Sequence, residues 1–153
     1  MLKRYLVLSA LAVALATGLS KADDFESLLA PLSSSQREHT LDNFQLEVTQ
    51  CSIYYSLLKE SMDRLGEDVD FVRLENAIER LELSMFALGD HVNFTEDFVM
   101  NRYQSVFQSM LDEMDRNYYK ITELIEMYDD NCEILLRSPE DRLRFWANHE
   151  KGK

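Results

Sequence analysis

Leu41, Phe44, Val48, Cys51, Tyr55, Leu58, Met62 and Leu65 recur at intervals that alternate between three and four residues. Such spacing lines up one face of a helix, whereas a half-buried strand would use alternate residues. Thr40 stands where an N-cap belongs, and Gly66 followed by Glu67-Asp68 forms a stop. Phe71, Leu74, Ile78, Leu81, Met85 and Leu88 repeat the spacing, with Asp70 as the expected cap and Gly89 as the expected end. A third run opens after Asn93, which with Glu96 three residues later resembles a capping box. It passes through Met100, Tyr103, Phe107, Met110 and Met114, then continues with Tyr118, Ile121, Ile125, Tyr128, Cys132 and Leu135.

Read as one helix, that last run would extend about 60 Å over some 40 residues. The spacing slips between Met114 and Tyr118, however, where two intervals of four follow each other. A reversal near Asp115-Arg116-Asn117 makes the final segment antiparallel to the first helix. Cys132 then comes within about two turns of Cys51, which a modest slide closes. Ser138 as cap, Pro139 at the first helical position and Glu140-Asp141 in the first turn start a short last helix carrying Leu143, Phe145 and Trp146. The expected fold is therefore all-α: an up-down-up-down four-helix bundle over residues 40–153, with a short C-terminal helix from about 139. Residues 23–39 form an N-terminal arm, in which Phe25 and Leu28-Leu29 precede Pro31 and a flexible Ser33-Ser34-Ser35 link. An unbroken third helix would instead suit a coiled-coil homodimer; the short links and the cysteine register favour a monomer.

The start of the chain changes the setting. Lys3-Arg4 precedes an apolar run from Tyr5 to Ala16, and Ser20 and Ala22 are small. Residues 1–22 thus read as a signal peptide cleaved before Asp23. The apolar run is shorter than the roughly 20 residues that cross a bilayer, so no stable membrane insertion is expected after cleavage. A periplasmic or secreted protein follows, and in an oxidising compartment Cys51 and Cys132 are expected to pair.

Charge narrows the choice of partner. The net charge is −12, and the stretch from Asp23 to Leu136 holds 25 of the 28 acidic residues but 8 of the 16 basic ones. Such a body repels phosphate backbones and anionic lipid, so no nucleic-acid partner is expected, and a basic protein is attracted instead.

The chemistry that a helical bundle invites is missing from the sequence. Di-iron bundles place a histidine three residues after a glutamate, and His39, His91 and His149 all lack it. There is no Cys-x-x-Cys-His for haem, and no histidine on the apolar stripes to complete a zinc site. Glu67-Asp68-Val69-Asp70 and Glu126 with Asp129-Asp130-Glu133 lack the glycine-turned loop of an EF-hand and read as solvated helix ends. Met100, Met110 and Met114 read as core filling rather than soft-metal ligands. No Glu or Asp interrupts the stripes, so no catalytic, cofactor-binding or metal residue is assigned, and an enzyme is not expected.

Aromatic residues offer the remaining signal. Tyr54 and Tyr119 flank the seam beside Tyr55 and Tyr118, and Phe145, Trp146, Arg142 and Arg144 gather in the basic terminal helix. These six are the candidate partner-binding residues. The expected function is an exported acidic bundle acting by protein–protein interaction, as an adaptor, chaperone, inhibitor or immunity-type factor. The alternative is a sensory or ligand-binding bundle holding a small apolar or aromatic molecule between its helices.

Overall fold

Six helices and one 3-10 turn make up the described part of the chain, residues 22–152 of a computed structural model. The helices are α1 (Ala22–Leu29), α2 (Ser34–Leu65), α3 (Phe71–His91), α4 (Glu96–Glu113), α5 (Ile121–Arg137) and α6 (Pro139–Lys151). The 3-10 turn, Tyr118–Lys120, leads into α5. The leader expected at 1–22 lies outside the described residues except for its last position. Among the described residues there is no strand, and no helix is long and apolar enough to cross a membrane.

Helix α2 begins at Ser34 and not after Thr40. Ser33 accepts a hydrogen bond from the Gln36 amide, and the Gln36 side chain accepts one from the Ser33 amide. This reciprocal pair satisfies two otherwise orphaned donors, so the serine run nucleates a helix instead of a link. Thr40 and His39 therefore lie within α2, and Thr40 is fully buried. Gly66 ends the helix in the left-handed region (φ 69°) with its amide on Asp63, while the Glu67 amide reaches Met62. Asp70 caps α3 as expected, accepting from the Arg73 amide at 2.9 Å.

Two boundaries differ from expectation around residue 90. Helix α3 runs through Gly89 to His91, because Gly89 serves close packing and not termination. A Cβ there would stand 2.6 Å from Cγ2 of Val99, so only glycine lets α3 and α4 approach this closely. Asn93 is left-handed (φ 60°) in the link, and Thr95 caps α4 in its place by accepting from the Phe98 amide at 3.2 Å.

The break at 115–117 is present. Asp115 and Arg116 are both left-handed, and the Asn117 side chain accepts from the Tyr119 amide to start the next turn. Cys51 and Cys132 form a disulfide with a Cα–Cα separation of 5.3 Å, which ties α2 to α5. Such a bond is consistent with an oxidising, extracellular or periplasmic-type compartment. At α6, Pro139 occupies the first turn as expected, but the Ser138 side chain makes no capping bond.

Four main helices and two short ones are thus observed, arranged around α2 rather than as four equal walls. Helix α2 packs against α3, α4, α5 and α6, whereas α4 and α5 share few contacts and α3 and α5 hardly touch. Burial accordingly extends around α2 beyond the apolar stripe: Gln45, Glu47, Thr49, Ser52, Ile53, Tyr54, Leu57 and Ser61 are all buried, while Leu65, on the stripe, is exposed. Of the polar members, Gln45, Glu47 and Thr49 find partners, while the buried Ser52 and Ser61 hydroxyls have none among the described residues. Thr49 Oγ1 donates to the Gln45 carbonyl, and Gln45 Nε2 donates to the Met85 carbonyl of α3. Arg102 of α4 donates to Gln45 Oε1 at 2.7 Å and to Asp42 Oδ1 at 2.6 Å, fastening α4 to the same helix. At the start of α4 the buried position is Val99 and not Met100, whereas Tyr103, Phe107, Met110 and Met114 keep to the expected stripe. Met110 and Met114 sit fully inside the apolar core.

Candidate functional site

The C-terminal candidates divide into anchors and surface. Glu47 is buried on α2, and its Oε1 accepts from Arg142 Nε at 2.7 Å while Oε2 accepts from Trp146 Nε1 at 2.6 Å. Residues four apart on one helix share a face, so Arg142 and Trp146 grip one carboxylate together. They hold α6 on α2 and are not free to greet a partner. The opposite end of α6 is fastened too, by Gln36 Nε2 donating to the Glu150 carbonyl at 3.1 Å and by His39 beside the buried Glu150 carboxylate. Arg144 pairs with Asp141 on the solvent side, and Phe145 remains about half exposed beneath the Arg142 guanidinium.

Tyr54 does not belong to a surface. It is fully buried, and its hydroxyl donates to Asp129 Oδ1 on α5 at 2.7 Å, with the Tyr128 ring stacked nearby. Tyr119, by contrast, is 64 % exposed. The two therefore cannot form one patch. The missed residue was Glu47, which falls beside Val48 just off the stripe; its visible counterpart was the Arg142/Trp146 pair at four-residue spacing.

The open part of the molecule lies where α3 and α5 fail to meet. Between them runs a groove of about 890 Å³. Tyr55, Leu58 and Met62 of α2 form its floor, supported by Leu74 and Ala77 of α3 and Leu136 of α5. Leu58, Met62, Leu74 and Leu136 are only partly covered, whereas Tyr55 and Ala77 are buried in the core. One wall carries Arg73 and Arg80 from α3, and the other carries Asp129 and Glu133 from α5. Asp70 lines the groove on the α3 side and Arg137 on the α5 side, so each wall carries both signs.

The phenol of Tyr55 senses both walls. Burial pushes its pKa up to about 12, the Asp129 and Glu133 carboxylates push in the same direction, and Arg73 pulls it down. Tyr54 is raised still further, first by burial and then by its hydrogen bond to Asp129. Both tyrosines therefore hold their protons more tightly in the folded state than in the unfolded chain, where the pKa is about 10. Their contribution is fully present below about pH 10, and stability falls by roughly 1.4 kcal/mol per pH unit for each tyrosine above it. Urea midpoints measured from pH 9 to 12 should fall steeply beyond 10, and the Tyr54→Phe/Tyr55→Phe variant should show a shallower decline. An equal slope in both proteins would remove these phenols from the account.

No group of three or more His, Cys, Asp or Glu side chains is placed to hold a metal ion among the described residues. Comparison with protein-family models, with curated proteins and with solved structures gave no match.

Proposed function

We propose that this protein is an exported, non-enzymatic binding module that holds a segment of a partner protein in the groove between α3 and α5. The supporting observation is the open seam itself: α3 and α5 hardly touch, and the apolar floor of α2 is left between charged walls. A single-domain protein gains by burying such a seam internally, and retaining it is what a docking surface requires. The placement outside the cytoplasm rests on the leader read at residues 1–22 and on the buried disulfide. The acidic body favours a partner with basic surface around the docked segment. Adaptor, chaperone, inhibitor and immunity-type roles all use this single act.

The test is to compare immobilised wild-type protein with Ala77→Trp, which fills the floor, and with Val72→Glu, which charges an exposed rim position. A stoichiometric partner retained from an envelope extract at low salt should be lost by both variants, each checked for native helicity. Retention of the same partner by both variants would move the interaction away from the groove.

A second reading is supported by the groove's size, which lies in the range of small-molecule sites of about 300–1,000 Å³. An apolar or aromatic ligand carried through gentle purification, seen by native mass spectrometry and absent from Ala77→Trp, would replace the partner segment with a small molecule.

A further inference from the structure

The link between α4 and α5 is strained. Asp115 and Arg116 are consecutive left-handed residues (φ 51° and 56°), a region where Cβ crowds the following carbonyl and glycine is at ease. Glu113, at the negative end of the α4 dipole, holds one carboxylate oxygen out of solvent with no hydrogen-bond partner among the described residues. Ion pairs of Lys120 with Asp115 and of Arg116 with Asp112 offset part of this, and such surface pairs contribute little. Residues 96–137 contain no glycine or proline. Drawn straight, they make one helix of about 60 Å. Met110, Met114, Ile121, Leu124, Tyr128 and Cys132 share one side of that helix, at steps of three, four and seven residues. The two arms also hold each other weakly: α4 packs on α2 and α3, α5 on α2 and α6, and α4 and α5 share few contacts. Opening the link therefore takes α5 and α6 away from α1 and α2, surfaces that a second copy of the chain offers in the same form.

We propose that two copies of this chain exchange α5 and α6 through a straightened α4–α5 helix, so that each copy's α2 is covered by the other's last two helices. The contacts that fasten these helices are remade between chains: Cys51 with the partner copy's Cys132, Tyr54 with its Asp129, and Glu47 with its Arg142 and Trp146. The two states then differ chiefly at the link, where the exchanged form has neither the left-handed pair nor a helix end. Exchange of an identical element is a low-cost route to dimers, and short strained links invite it. Each groove is then built by two chains, α3 coming from one and α5 from the other. The disulfide fixes the choice. Formed within a chain, it ties α5 to its own α2; formed between chains, it makes the dimer covalent. Exchange therefore belongs to the interval before the cysteines are oxidised.

The test is to mix isotopically light and heavy protein, reduce it, and reoxidise it at rising concentration. Oxidised glutathione takes the two electrons and two protons of each cysteine pair and leaves as two thiols. Non-reducing gels should show a dimer fraction that grows with concentration and returns to monomer on reduction. Digests of that dimer should contain the Cys51–Cys132 linkage joining a light peptide to a heavy one. Asp115→Gly/Arg116→Gly, which suits the left-handed link, should lower the dimer fraction about tenfold, whereas Asp115→Ala/Arg116→Ala, which suits a helix, should raise it. Both variants lose the same ion pairs, so opposite displacements isolate the backbone. Monomer alone at every concentration, in wild type and in the alanine variant, would overturn the exchange. A dimer whose linked peptides are all light–light or heavy–heavy would overturn it in favour of two closed copies side by side. Equal dimer fractions in the glycine and alanine variants would overturn the straightened link. The isotope readout uses wild type and stands even where a variant fails to fold, and none of these readouts depends on what the groove holds.

Discussion

Removing the Cys51–Cys132 bond as Cys51→Ala/Cys132→Ala should lower the unfolding free energy by about 3–5 kcal/mol. The two cysteines are 81 positions apart, and a loop of that length loses much entropy when it is closed in the unfolded chain. Both sulfurs are also buried, so alanine leaves unfilled space around them. For a domain of this size the melting temperature should fall by roughly 10–15 °C. The effect should be felt most by α5, whose packing comes from α2 and α6, with little from α4 and almost none from α3. Because α5 supplies one wall of the groove, partner affinity should weaken in the variant before the helical signal is lost. Urea denaturation of wild type with and without reductant provides the same comparison without mutation. Coincident midpoints would show that packing alone positions α5.

Glu47→Ala should cost a similar amount, about 3–5 kcal/mol, through a different route. Its carboxylate meets Arg142 and Trp146 in a place where the side chains are 7 % and 13 % exposed for Glu47 and Arg142. Removing the acid strands a guanidinium away from water and leaves the indole N–H without its acceptor. The cost is one of broken pairing, so replacing both charges should recover most of it: Glu47→Leu/Arg142→Leu is expected within about 1–2 kcal/mol of wild type. Trp146, the single tryptophan, reports the event directly. Its emission should move to longer wavelength in Glu47→Ala as α6 loosens, and return in the double variant. A double variant no more stable than Glu47→Ala would mean that packing volume, and not the ion pair, holds α6 in place.

The helical stripes, the Gly66 stop, the Asp70 cap and the break after Met114 were all legible in residue spacing, because each depends on contacts within a few positions. The capping box at Ser33 was equally local and was passed over, since the serine run has the composition of a link. Gly89 was misread for a different reason: its role is set by Val99 on another helix, and glycine as a terminator and glycine as a clearance look identical in one dimension. Tyr54 and Glu47 share that fate. Both lie just off the α2 stripe, and periodicity assigns such positions to an edge.

Local spacing was therefore enough to specify an all-α chain and the number of its main helices, while the pairing of the two cysteines was expected from the compartment that the leader implies. Which helix stands in the middle came from three-dimensional packing alone. Once α2 is flanked by four others, polar residues beyond its apolar stripe become interior, and the largest of them find partners, as Gln45 does in Arg102 and Glu47 in Arg142 and Trp146. The helices around α2 do not close completely, and the groove between α3 and α5 is the gap that remains. A vacancy is a property of where helices are not, and no residue pattern encodes it.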